Sequence, residues 1–280
     1  MRVLILGGSG MLGHELWRYL SSRHTHIYAT LRKKKDEYHT DLFAVSNVID
    51  SIDAVDFNSI KNILDRIQPE FVLNCVGITK RKEHDSSMIE IIKLNSLLPH
   101  ELALWGEKNK AGIIHFSTDC VFDGIDGQYA DDSPPNAEDL YGRTKGLGEV
   151  SGKYALTLRS SFIGHELEHG TELLEWFLSQ TGRINGFAKA IYTGFTTMEL
   201  NRIVEKIITE RPRCSGIYNV SSEPITKYDL LSLIKEKLNL DIEIVPDYRF
   251  ACDRSLDSTR FRQTFNYTPP AWEAMIEELA

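Results

Sequence analysis

Apolar residues follow two rhythms along this chain. Short apolar runs bounded by glycine or polar residues occupy residues 2–6, 26–31, 71–76, 112–117 and 154–159, the length and pattern of buried strands. Between them, residues 11–21, 58–67, 87–109 and 141–151 repeat their apolar positions every three to four residues, as amphipathic helices do. Strand and helix therefore alternate, which predicts an α/β fold with a parallel, doubly wound sheet covered by helices on both faces. Beyond Gly164 the rhythm loosens. We expect helices near 171–181, from 198 to about 210, at 227–238 and near 272–279, with strands at 217–220 and 242–245 and a glycine-containing stretch running to Gly194. The expected organisation is a first domain over 1–160 and a smaller, interleaved C-terminal lobe over 161–280. Some segments of that lobe return to the first domain, and a ligand lies between the two.

The first strand breaks into Gly7-Gly8-Ser9-Gly10-Met11-Leu12-Gly13 before the first helix starts. Gly7 permits the tight turn, Gly10 lets backbone approach a diphosphate, and Gly13 lets the helix close onto the strand. The free N–H groups at a helix N-terminus suit such an anion. Gly7, Ser9, Gly10, Met11 and Leu12 are thus candidates for a dinucleotide site of the Rossmann type. The second strand ends in Leu31-Arg32-Lys33-Lys34-Lys35, where NAD-specific sites carry an acid for the ribose 2′-hydroxyl. Basic residues there attract a 2′-phosphate, so Arg32 and Lys33 favour NADPH, with NADH as the alternative.

Composition narrows the partners. The chain has 280 residues, 42% hydrophobic and 26% charged, which suits a globular protein with a large core. A formal net charge of -8 argues against a nucleic-acid surface, which needs a basic face. Cys75, Cys120, Cys214 and Cys252 are scattered with no Cys-x-x-Cys pair, as expected for reduced thiols in a cytoplasmic protein. No apolar run is long enough to span a bilayer, and a glycine turn at residue 7 leaves no room for a cleavable leader. No membrane partner is expected.

Chemistry is suggested by Tyr141-Gly142-Arg143-Thr144-Lys145; of the eleven tyrosines only Tyr141 has lysine four residues later. Residues four apart share a helix face, so both side chains can enter one cleft. A phenol titrates near ~10, too high for proton exchange at neutral pH. One ammonium at ~4 Å and an effective dielectric of ~20 offers about 4 kcal/mol, or roughly 3 pKa units downward. Ser117-Thr118-Asp119 follows an apolar strand, and the carboxyl ends of sheet strands are where such folds bind ligands. Thr118 could hydrogen-bond a carbonyl that Tyr141 protonates.

Taken together, Gly7-x-x-Gly10-x-x-Gly13, Asn74-Cys75-Val76-Gly77, Leu94-Asn95-Ser96, Ser117-Thr118-Asp119-Cys120-Val121-Phe122-Asp123-Gly124, Tyr141-x-x-x-Lys145, Gly148-Glu149 and Leu158-Arg159-Ser160 carry a resemblance. The chain resembles the extended short-chain dehydrogenase/reductases, and more narrowly the dTDP-4-dehydrorhamnose reductase family of nucleotide-sugar reductases. The resemblance implies a catalytic set of Thr118, Tyr141 and Lys145. Tyr141 would protonate, and NADPH would reduce, the 4-keto group of a nucleotide-linked 4-keto-6-deoxy sugar, in bacterial surface-polysaccharide precursor synthesis. It further implies that Lys145 holds the nicotinamide ribose, that Asp53 and Ala54 lie against adenine, and that Cys75, Val76 and Gly77 line the cofactor. Asn95 would support the lysine side. Thr79, Asp119, Cys120, Phe162, Thr196 and Arg254 fall on the substrate side, Arg254 as a guanidinium for the diphosphate. A homodimer is a further expectation of the resemblance.

Two departures bear on the sugar. Rhamnose reductases usually carry tyrosine where this chain has Cys120 and tryptophan where it has Phe162, both facing the sugar in the family. Leu173-Leu174-Glu175-Trp176-Phe177 and Gly194-Phe195-Thr196-Thr197 are similar to relatives acting on UDP-linked 6-deoxy N-acetylamino sugars, so UDP and dTDP both stand. Dehydratases of the superfamily place Asp-Glu after the catalytic threonine; here Asp119 precedes Cys120, which disfavours elimination. An epimerase or dehydratase, or a cofactor-binding regulatory subunit without catalysis, are the alternatives. His165-Glu166-Leu167-Glu168-His169 matches the zinc-protease pattern, but flanking glycines read it as a loop and no third ligand follows; we take it as a substrate-side loop without metal. His14 and His115 are expected to be structural.

Overall fold

The computed structural model describes residues 1–168, 170–210 and 215–279. Seven parallel strands form the central sheet in the order β10-β6-β5-β4-β1-β2-β3. They are β1 (Arg2–Leu6), β2 (His26–Thr30), β3 (Val48–Ile49), β4 (Phe71–Asn74), β5 (Gly112–Ser117), β6 (Ala155–Arg159) and, after further elements, β10 (Gly216–Asn219). The chain runs outward from β1 through β2 to β3 and then restarts on the other side at β4. That reversal leaves a crevice above the carboxyl ends of β1 and β4, where open α/β sheets bind ligands.

Packing explains why these strands read as continuous apolar runs. On β1, Val3 and Ile5 enter one core cluster and Leu4 and Leu6 the other, each 0–1% exposed. The first cluster packs helices α1 (Met11–Ser21) and, later in the chain, α7 (Thr197–Glu210) against one face. The second packs α2 (Phe57–Ile67) and α4 (Leu98–Asn109) against the opposite face. A strand covered on both faces has no polar side to show.

The long helix expected over 87–109 is divided. It comprises α3 (Met88–Ile92), a π-helical turn over Lys93–Leu97, and α4. Pro99 has no N–H to return to the carbonyl four residues earlier, so the regular ladder fails at Asn95. The next helix, α5 (Leu140–Leu147), stops at Gly148 rather than reaching residue 151.

The C-terminal half adds β7 (Phe162–Ile163), α6 (Leu173–Leu178), β8 (Gly182–Tyr192), β9 (Phe195–Thr196), β11 (Ile225–Thr226), α8 (Lys227–Lys237), β12 (Ile242–Asp253), α9 (Thr259–Phe265) and α10 (Trp272–Glu277). Two small sheets result, β11-β8-β12 and β7-β9. The glycine-containing stretch before Gly194 is an eleven-residue strand, and the strand expected at 242–245 runs on to Asp253. Both are half-exposed, with buried positions scattered among exposed ones, so no continuous apolar run announces them. Cys214 lies outside the described residues. No helix among the described residues is long and apolar enough to cross a membrane.

Candidate active site

The turn between β1 and α1 is held by close backbone contact. Gly7 sits at φ +77°, and a Cβ on Gly13 would lie 2.0 Å from the Gly7 carbonyl oxygen. Only glycine lets helix and strand approach this far. Gly10 caps α1 without a side-chain partner, and a Cβ there would meet nothing closer than the Gly7 oxygen at 3.5 Å. The helix N-terminus thus faces an open cleft of about 580 Å³. Gly7, Ser9, Gly10, Met11, Arg32, Asp53, Ala54, Cys75, Val76 and Gly77 all line it. A cradle this shape and length fits a dinucleotide, with phosphates against the turn and a basic side chain at one end.

Leu12 and Lys33, both expected at the cofactor, do not line the cleft. Leu12 is 3% exposed inside the core cluster, because one residue along the helix rotates its side chain to the buried face. Lys33 turns to Glu168, Nζ donating to Oε1 at 2.7 Å. That contact draws the residues after β7 to the dinucleotide cleft, which Glu166, Leu167 and Glu168 line. His165 is engaged by the Glu175 carboxylate at 2.7 Å and the Leu279 carbonyl at 3.2 Å; His169 lies outside the described residues.

The loop after β4 forms the inner wall and is pinned by Asn95. Its Oδ1 accepts from the Ile78 amide at 2.8 Å, and its Nδ2 donates to the Ile78 carbonyl at 3.0 Å and to Thr144 Oγ1 at 3.2 Å. Cofactor wall and α5 are joined through one buried amide. Asn95 does not line the cleft; it acts on its geometry from behind.

Helix α5 starts at Asp139, whose carboxylate accepts from the Gly142 amide at 2.8 Å. A Cβ on Gly142 would lie 2.2 Å from the Cys120 carbonyl oxygen, so this helix rests directly on the turn after Thr118. Tyr141 and Lys145 therefore share one face above β5. Lys145 Nζ donates to the Phe116 carbonyl at 2.7 Å, and the position of a Cβ on Gly77, in the cofactor wall, is 3.9 Å from that nitrogen. Thr118 stands beside the Tyr141 phenol, with its own hydroxyl 3.1 Å from Asp119 Oδ1.

Electrostatics reverse one expectation. Burial is the largest influence on Tyr141 and raises its phenol; Cys120, Asp119 and Glu172 push the same way, and only the Thr118 hydroxyl works against them. Lys145 is itself lowered to about 8 by burial, so it is a weaker cation than a spacing argument supposes. The phenol holds its proton, the condition of an acid awaiting a base. Below Thr118, a fully buried ion pair fixes the end of β5. Arg159 grips Glu149 by two bonds of 2.7 Å, and Ser117 donates to the same carboxylate at 2.8 Å.

Next to Cys120, Arg254 donates to the Phe122 carbonyl at 2.8 Å and approaches the Cys120 sulfur at 3.5 Å. Burial, and then Asp119, push the Cys120 thiol up to about 12. Thr79 donates to Glu172 at 3.1 Å. Phe162 packs against the core cluster. Thr196, at 0% exposure, accepts from the Glu199 amide at 3.3 Å and serves to start α7; its side chain has no open face for a sugar. Tyr38 went unrecognised in the sequence. It lines the cleft, accepting from the Lys33 amide and donating to Ser9 Oγ, both at 3.2 Å. It comes from an aperiodic connection that offers no pattern to read.

The chain is similar to known proteins in sequence and in fold. The model of the RmlD substrate binding domain matches residues 1–280. The spore coat polysaccharide biosynthesis protein SpsK of Bacillus subtilis is 26% identical over 251 residues, 87% of this chain and 82% of that protein. A dTDP-4-dehydrorhamnose reductase of Aggregatibacter actinomycetemcomitans is 24% identical over 99% of this chain and 98% of its own. Among solved structures, dTDP-4-dehydrorhamnose reductase from Bacillus anthracis in complex with NADP superposes with a TM-score of 0.79 over 99% of this chain and 98% of that one, at 19% identity. That likeness establishes the fold.

Proposed function

The chain belongs to the RmlD substrate binding domain family, and from that premise we propose that it is an NADPH-dependent oxidoreductase reducing the 4-keto group of a nucleotide-linked 4-keto-6-deoxy sugar. One observation carries the reading: Lys145 Nζ comes up to the Gly77 edge of a cleft that suits a dinucleotide, while Tyr141, on the same face of α5, hydrogen-bonds Thr118 at the end of β5. NADPH, when bound, supplies the reducing equivalent. The chain's own residues do the rest. Thr118 offers a hydroxyl to orient the sugar carbonyl, and Tyr141 gives its phenolic proton to that oxygen as negative charge gathers there. A phenol raised by burial keeps the proton until a strong base appears. Lys145, beneath Gly77, is placed to hold a ribose hydroxyl.

Arg32 beside the cleft supports a 2′-phosphorylated cofactor, with NADH as the alternative. The nucleotide of the sugar is UDP or dTDP, with Arg254 beside Cys120 placed for its diphosphate. We assign the chain to surface-polysaccharide precursor synthesis in the cytoplasm, which the free thiols of Cys75, Cys120 and Cys252 support. Exposed Met88, Ile89 and Ile92 on α3 and Leu104 on α4 support assembly as a homodimer.

The test is a panel of dTDP- and UDP-linked 4-keto sugars with NADPH, followed by nicotinamide absorbance. Tyr141→Phe should lower kcat by roughly 10²–10⁴-fold while NADPH still binds. Near-normal turnover in that variant would remove the mechanism.

A further inference from the structure

Beneath Gly77, Lys145 and His115 lie buried side by side, and their hydrogen bonds favour one arrangement of protons. The Val76 amide can only donate, and it lies 3.2 Å from Asn74 Oδ1, so that oxygen accepts. Asn74 Nδ2 therefore faces His115 Nδ1 at 3.1 Å and donates to it. A neutral imidazole has a single N–H, which is left for Nε2. Nε2 lies 3.3 Å from Lys145 Nζ. An ammonium has no lone pair to receive that hydrogen, whereas a neutral amine has one and can still donate to the Phe116 carbonyl at 2.7 Å.

We propose that His115 is a positioning residue for Lys145: fixed in its Nε2-protonated tautomer by Asn74, it donates to Nζ and favours the uncharged amine in the protein without cofactor. His115 is 0% exposed, and burial, the largest influence on its ring, holds it well below its ordinary value, so the imidazole is neutral whichever form Lys145 takes. The charged groups around the pair leave this intact. Glu149, at the end of α5, favours an ammonium, but both its oxygens are committed to Arg159. Cys75, at the end of β4, is pushed up by burial and is a neutral thiol. His100, on α4, adds a weak influence in the same direction as Lys145. The chain of donors begins at Val76, which lines the cofactor cleft, and ends at Lys145. A cofactor seated on that wall acts on both ends.

The bearing of Lys145 on a bound cofactor rests on the reductase reading; the tautomer does not. Long-range 1H–15N spectra of the full chain, with His115 assigned by its loss in His115→Gln, read the ring directly, and labelled lysine reads the charge on Nζ. Above pH 8 the ring should carry its hydrogen on Nε2, and Lys145 should titrate near 8. Asn74→Asp exchanges the Nδ2 donor for an acceptor, so the ring should turn to Nδ1–H and the Lys145 midpoint should rise by about one pH unit or more. A wild-type ring protonated on Nδ1, or on both nitrogens, overturns the proposal, as does an unmoved Lys145 midpoint in Asn74→Asp. If that variant does not fold, the wild-type tautomer alone decides. Failure to reduce any sugar in the panel would count against the function and leave the ring assignment standing.

Discussion

Lys145 places an ionisable amine where water does not reach, and that has a thermodynamic signature apart from catalysis. Its ordinary value of 10.5 falls to about 8 in the folded protein. Between those values the unfolded chain holds a proton that the folded chain has released, so folding stability rises with pH across that window. The penalty is fully present below about 8 and gone above 10.5. Lys145→Met removes the titration. Relative to wild type, its stability should therefore be more favourable at pH 7 than at pH 10.5, by on the order of 3 kcal/mol. Urea unfolding at the two pH values checks this, and a difference between the proteins that does not change with pH would refute it. The residue pattern announced Lys145 and Tyr141 together because four residues of helix bring them onto one face. It gave the wrong sign for the phenol, because burial depends on what packs above the helix.

Single elements decide how the site is assembled. Helix α5 can rest on the Thr118 turn only because Gly142 lacks a Cβ, and the π-helical turn at Asn95 exists because Pro99 interrupts the ladder. Both causes lie in the local sequence. Residues 166–168, after β7, are different: they line the cofactor cleft, and Glu168 reaches a lysine 135 positions away. A 2′-phosphate would compete with that carboxylate for Lys33. Glu168→Gln should thus tighten NADPH by about two- to fivefold, the worth of a half-exposed ion pair, and leave NADH unchanged. Titration of nicotinamide fluorescence with both cofactors distinguishes the outcomes; equal tightening of both would show that the segment blocks the cleft sterically and that Lys33 is not the issue.

Across the molecule, the two halves of the chain share one core. Trp17 in α1 and Trp272 in α10 belong to the same buried cluster, and β10 closes the central sheet against β6. A chain ended at residue 160 would leave β6 with an open edge and half a cluster. We expect a single unfolding transition in urea, with tryptophan fluorescence and far-ultraviolet circular dichroism sharing one midpoint. Two separated midpoints would mean that the halves are independent.

What the amino-acid order determined by itself is whatever closes over short separations: strands buried on both faces, the glycine turn into α1, the shared face of Tyr141 and Lys145, and the basic end of β2. These depend on backbone geometry and on periods of two or 3.6 residues, which any segment carries within itself. Tertiary structure decided the remainder. It hid Leu12 and Thr196 in the core, drew Glu168 onto Lys33, turned half-exposed β8 and β12 into a sheet, and enclosed Lys145 with His115. Each of these depends on a neighbour far away in the chain, and a local pattern holds no record of which distant group will displace the water.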